Sequence, residues 1–148
     1  MSKIDINQRI PLSILEIALK DFLEEKYNPD YLCGQLAYEY KGENRIKKAL
    51  QHITKIITKN PLLEEILSNK EEVLNALKNK GDKSVILIAM VNATFPFAFD
   101  TLNLFAKYFQ VQEYINWDLV QKEIKNKYGS NRSTENALYS VIPMFLEA

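Results

Sequence analysis

Glycine is scarce in this 148-residue chain, at four residues, and proline is nearly so, at five. That leaves little material for the tight turns of a many-stranded sheet, and it favours long helices. Cysteine occurs once, as Cys33, which excludes a disulfide framework and a cysteine zinc site. Cys33 lies among apolar and aromatic residues ("DYLCGQLAY") and reads as a small core filler rather than a nucleophile. Histidine also occurs once, as His52, so neither a histidine pair for a metal nor an imidazole relay is available. The glycines at 34, 42, 81 and 129 form no phosphate-cradling loop.

Net charge is missing too. Nineteen basic residues cancel nineteen acidic ones, so no global field draws the chain to a polyanion or a membrane surface. The stretch "VILIAMVNATFPFAF" (85–99) is interrupted by Asn92, Thr94 and Pro96 and falls short of the roughly 20 apolar residues of a membrane span. It reads as a buried helix. The opening "MSKIDINQRI" is polar and does not resemble a signal peptide. A cytoplasmic protein with no membrane partner is expected.

What is present is 47% hydrophobic and 11% aromatic, the composition of a folded chain. Apolar residues at Ile14, Leu15, Ala18, Leu19 and Phe22 mark an amphipathic helix over 11–27, with Pro11 near its start. Asn28-Pro29 breaks it. A second helix over 30–41 takes Asp30 as its cap and ends at Gly42. A third, 44–59, takes Asn44 as its cap and stops at Asn60-Pro61. Two short helices follow, the second ended by Gly81, and then a long apolar helix from Ser84 to about Gln110, kinked at Pro96. "NWDLVQKEIKNKYG" (116–129) and "SNRSTENALYSVIPMFLEA" supply the last two, with Asn116 and Ser133 as caps. No stretch alternates as a strand would. The expected class is all-α, a compact domain of about six to eight helices with helix-turn-helix-like pairs. It divides into an N-terminal lobe (1–82) and a C-terminal lobe (83–148), or forms one domain.

The acidic pairs Glu24-Glu25, Glu64-Glu65 and Glu71-Glu72 are sequence neighbours. Adjacent helical residues diverge by about 100°, so such pairs do not converge on a substrate. No enzyme, cofactor or metal is expected.

Charge is concentrated in one window. Residues 42–59 hold Arg45, Lys47, Lys48, Lys55 and Lys59 against Glu43 alone. In "NRIKKALQHITKIITKN" the potentially cationic residues Arg45, Lys48, His52, Lys55 and Lys59 recur at steps of three and four, within an arc of roughly 80° on a helix. Ile46, Ala49, Leu50, Ile53, Ile56 and Ile57 occupy the adjoining arc. Such a helix docks by its isoleucine side and leaves a cationic edge. Three readings compete: a solvated face balanced by acidic neighbours, a contact for nucleic-acid phosphates, or one for an acidic protein.

A second candidate lies near the C-terminus. The helix pair around "GSNR" resembles a helix-turn-helix, with Lys122, Lys125, Lys127 and Arg132 before its second helix. That helix presents Ser133, Thr134, Asn136 and Ser140, short polar groups suited to base edges or phosphates. Any helical hairpin carries a polar turn, and Pro143 interrupts the stretch where a groove-reading helix runs straight. The aromatic residues Phe95, Phe97, Phe99, Phe105, Tyr108, Phe109 and Trp117 suggest a stacking platform for single strands. With only Lys107 as a cation between 84 and 121, they read first as core.

The order of these elements resembles the A component of the bacteriophage exclusion (BREX) defence systems, a family labelled putative inner-membrane protein of unknown function. The resemblance rests on the basic helix after a polar turn, on "FAFDTLNLFAKYF" and on the "W-D-L-V…S-T-E-N-A-L" pair. It implies a small helical protein that binds DNA and works with other phage-defence proteins. The rival expectation is a helical adaptor or oligomerisation module that binds no nucleic acid.

Overall fold

A computed structural model describes residues 3–148; Met1 and Ser2, the start of the polar opening stretch, lie outside the described residues. Among the described residues the protein is all-helical: α1 (Leu12–Leu23), α2 (Pro29–Glu39), α3 (Glu43–Lys59), α4 (Leu63–Ser68), α5 (Lys70–Ala76), α6 (Lys80–Thr94), α7 (Pro96–Phe109), α8 (Trp117–Tyr128) and α9 (Arg132–Glu147). None of these helices is long and apolar enough to cross a membrane.

The expected single helix from 84 to 110 is two helices. Proline clashes with the residue before it and drives that residue out of the helical region. Phe95 is accordingly extended (φ −118°, ψ 100°), ending α6, while Pro96 opens α7 at the position where its missing N–H costs nothing. The same rule places Asn28, not Asp30, as the cap of α2: its side chain accepts from the amides of Asp30 and Tyr31, with Pro29 in the first turn. Asn131, not Ser133, caps α9. Gly81 does not end a helix but lies in the first turn of α6, which Asn79 caps through the Asp82 amide at 3.0 Å. Asn116 and Gly129 bound α8 as expected. The first helix ends at Leu23, four residues short of the expected Tyr27.

α3 is the hub, in contact with α1, α2, α4 and α6. It buries Ala49, Ile53, Ile56 and Ile57, as the isoleucine arc requires. One cluster of buried apolar residues runs from Ile6 and Leu15 through Ile53, Met90 and Phe97 to Leu138 and Met144, joining both halves of the chain. Cys33 does not belong to it; its side is exposed on α2. Of the aromatic residues, Phe95 and Phe97 are fully buried, whereas Phe99 and Phe109 face outward.

Before α1, residues 3–11 form a non-helical segment anchored by buried Ile6 and Ile10. Arg9 fastens its end. The guanidinium reaches Glu39 (3.4 Å) and Glu147 (3.5 Å) and lies 5.3 Å from the centre of the Tyr40 ring, while the Tyr40 hydroxyl donates to the Arg9 carbonyl. The other Glu147 oxygen accepts from the Leu12 amide at 3.0 Å, so the end of α9 caps the start of α1.

Gly42 precedes α3 with φ +98°, a left-handed conformation that L-residues resist. A Cβ there meets no atom within 4 Å, so strain is backbone strain alone. Gly42→Ala is expected to lower stability by about 1–2 kcal/mol, a drop of several degrees in the thermal midpoint by circular dichroism.

Candidate nucleic-acid interface

α3 carries the cationic edge, and the structure divides it. Arg45, Lys48 and Lys59 are exposed. Among the described residues neither they, nor Lys55, nor Arg132, have a carboxylate within 4.0 Å. The acidic residues of 60–82 therefore do not fold back to pair with them. Lys55 and His52 sit lower. The Lys55 ammonium lies 5.0 Å from the centre of the Phe95 ring, over its face, an attractive arrangement between a cation and the ring quadrupole.

His52 is not a cation. Its ring packs edge-on against Phe95, with centroids 5.2 Å apart, and Nε2 lies 2.9 Å from the Asn7 side-chain oxygen. Burial, with the charges of Lys55 and Lys48 acting in the same sense, pushes its pKa down to about 4. The residue that sequence spacing places in the cationic row is thus a neutral donor or acceptor at pH 7.

Asp5, two residues before Asn7, faces the same region. Burial raises its carboxyl above the usual range, opposed by the Lys55 charge and the Phe97 amide at the start of α7. Its Oδ1 is enclosed and has no hydrogen-bond partner. Close by, the Tyr128 hydroxyl donates to Asp100, whose Oδ2 also lies 2.7 Å from the Lys127 ammonium. Burial first, then that hydrogen bond and the charges of Asp100 and Asp5, raise the Tyr128 pKa. These groups tie α7 to α8, and Lys127 is consequently engaged within the protein.

The helix-turn-helix-like pair forms, but only part of it is available. Arg132, Ser133 and Asn136 are exposed at the start of α9. Thr134 is fully buried: its amide and hydroxyl both donate to the Asn131 side-chain oxygen, at 3.0 and 3.3 Å. It belongs to the helix cap and does not reach a ligand. Ser140 is buried as well, donating to the Asn136 carbonyl. Lys125 is paired with Glu135 at 2.9 Å.

The two candidate segments, more than 70 residues apart in sequence, meet. A cleft of about 340 Å³ is lined by Lys48 and His52 of α3, Ser133 and Asn136 of α9, and Ile4, Asp5, Ile6 and Asn7 of the N-terminal segment. The N-terminal contribution has no signal in the sequence, because a non-helical segment without periodicity reads as an unstructured end. Arg45 lies one turn before Lys48 on the same face of α3, and Arg132 opens α9; both are exposed. Among the described residues no group of three His, Cys, Asp or Glu side chains assembles as a metal site would require.

Compared with known proteins, the chain matches no family model, no curated protein and no solved structure.

Unfolded His52 takes up a proton near pH 6.5, whereas the folded residue resists until about 4. Between those values the unfolded state holds the extra proton, so stability falls as pH falls, by at most about 3 kcal/mol. The raised Asp5 carboxyl acts in the opposite direction, since there the folded state holds its proton longer. Comparison with His52→Gln isolates the imidazole: thermal midpoints measured from pH 7 to 4 are expected to fall less steeply for the variant than for the wild type.

Proposed function

We propose that this chain is a non-enzymatic DNA-binding protein that holds phosphates with Arg45, Lys48 and Lys59 of α3 and Arg132 of α9. The partly covered Lys55 contributes field rather than contact. The observation that carries this reading is the meeting of α3 and α9 at one cleft lined by Lys48, with the exposed Arg45, Lys59 and Arg132 on the same two helices and no carboxylate within 4.0 Å of any of the four among the described residues. An unpaired cation on a helix edge gains little from its own protein and is available for a polyanion. Ser133 and Asn136 add hydrogen-bonding groups beside it, and His52 adds a neutral one. Because phosphate contacts carry no sequence information, binding is expected to be mostly independent of sequence. A place among phage-defence proteins is proposed on the family resemblance in helix order, and a methyltransferase and a large ATPase encoded beside this gene would support it.

Four phosphate contacts give a salt slope near 3.6, so tripling the salt should weaken duplex binding about fiftyfold in fluorescence anisotropy. Arg45→Glu/Lys48→Glu, at two exposed positions, should bind at least about tenfold more weakly and with a shallower slope. Wild-type affinity in that variant removes α3 from the interface.

A second reading has its own observation. Between α6 and α7 runs an apolar groove of about 460 Å³ lined by Ala89, Ala93, Leu102 and Ala106, beside Phe99, which is 54% exposed. Contiguous exposed apolar surface marks contact sites, which suits an adaptor or oligomerisation module. That reading expects a concentration-dependent increase in mass by light scattering, abolished by Ala106→Glu in the groove wall, and no salt-sensitive DNA binding.

A further inference from the structure

α9 carries more than Asn136 on its outer face. Arg132, Asn136 and Tyr139 follow at steps of four and three, so they share one stripe. Tyr139 is 62% exposed, and its ring lies 5.8 Å from that of Trp117, itself 37% exposed. An aromatic pair open to water thus stands one turn along α9 from Asn136, which lines the cleft, with Arg132 at the other end of the stripe. Burying two rings in the core would be the ordinary use of such residues; these two are left at the surface.

The cleft differs in kind from a duplex-reading surface. A helix that reads a duplex must project into a major groove about 12 Å wide. Here the start of α9 forms one wall of a concavity, with the residue 4–7 segment and α3 as the others. Its lining is mixed: the amides of Asn7 and Asn136 offer donors and acceptors, Ser133 a hydroxyl, His52 a neutral ring, Ile4 apolar surface, Lys48 an ammonium and Asp5 a carboxyl. Lys48 supplies positive charge at the cleft itself, and the exposed Arg45 and Arg132 lie on the two helices that wall it. Hydrogen-bonding groups in a concavity, cations on its walls and an exposed aromatic pair between α8 and α9 match what an unpaired base and its backbone require.

We propose that the physiological ligand of this face is single-stranded nucleic acid, with one unpaired base in the α3–α9 cleft and a neighbouring base stacked on the Trp117–Tyr139 pair. The inference rests on the phosphate-binding reading and specifies its substrate. The strand runs along α9, its backbone passing Arg132 and Lys48. Asn136 meets the edge of the base in the cleft. Because aromatic stacking tolerates every base, preference among sequences is weak and preference for unpaired over paired strands is strong.

Trp117 is the sole tryptophan of the chain, so its fluorescence reports the aromatic pair directly. The full chain is titrated with an oligodeoxynucleotide of about ten residues, within the usual site size for single strands, and with the duplex of equal phosphate count. Expected are quenching of Trp117 by the single strand, little quenching by the duplex, and single-strand affinity roughly tenfold higher. Tyr139→Ala should remove most of that difference while leaving duplex binding and its salt slope in place, and Asn136→Leu should reduce it. Both positions are exposed, and far-ultraviolet circular dichroism checks that the variants remain helical. Equal affinity for the two ligands with the salt slope intact and no quenching overturns the single-strand assignment and leaves the phosphate reading standing. Absence of salt-sensitive binding to either ligand overturns both.

Discussion

Phe95 is the contact on which the candidate interface depends. Pro96 forces it out of the helical region, and the resulting corner between α6 and α7 drives its ring wholly into the interior beneath α3. There it meets both the His52 ring, in a T-shaped arrangement, and the ammonium of Lys55. Burying an aromatic ring of this size stabilises by about 3 kcal/mol, and truncating one to alanine typically costs about 3–5 kcal/mol. The polar edge of α3 is therefore not free to rotate toward solvent as a unit. Its middle is fixed to the α6–α7 corner, and its orientation follows from a proline forty residues away.

That anchoring explains why the cationic row is unequal. Lys48 and Lys55 are seven residues apart, about 10 Å along the helix axis, with His52 between them. A charged imidazole there would stand between two lysines and inside a dehydrated pocket. Burial and the two neighbouring ammonium groups both oppose protonation, and the Asn7 side chain gives the neutral ring a hydrogen-bond partner. Three features thus act together: Asn7 of the N-terminal segment bonds to His52, His52 packs on Phe95, and the exposed heads of Arg45, Lys48 and Lys59 are left on either side.

The helices were largely legible in the sequence because their signals are local. Asn116 and Gly129 bound α8, and the isoleucine arc of α3 is buried as its spacing requires. Legibility fails where a local signal has two meanings. Proline can kink a helix or break it; here Phe95 leaves the helical region before Pro96 and is buried in the core, so the helix breaks. Gly81 reads as a stop, yet Asn79 two residues earlier supplies a cap that places it inside the next helix. Cys33 has apolar neighbours in sequence, but α2 turns that face outward. The candidate site was legible as two separate stripes, α3 and the start of α9. Their meeting depends on tertiary contacts and on residues 4–7, which belong to no helix and leave no periodicity to detect. Thr134 illustrates the limit of composition: a threonine among exposed polar residues is indistinguishable in sequence from one serving the cap beneath them.

The distribution of charge across this face matters more than its sum. A uniformly cationic edge would hold any polyanion and select none, since phosphates look alike on paired and unpaired strands. Neutralising His52 while leaving Lys48 charged produces a different profile, in which neutral hydrogen-bonding groups stand beside an ammonium and a carboxyl in the cleft lining. A nucleic-acid strand has the complementary profile, with charge on its phosphates and uncharged hydrogen-bonding edges on its bases. An unpaired base offers its Watson–Crick edge together with its backbone, whereas a duplex pairs that edge and leaves only the groove edges to be read. On the proposed reading, the neutral His52 leaves a hydrogen-bonding group among charged ones, an arrangement suited to an unpaired base and its backbone rather than to phosphates alone.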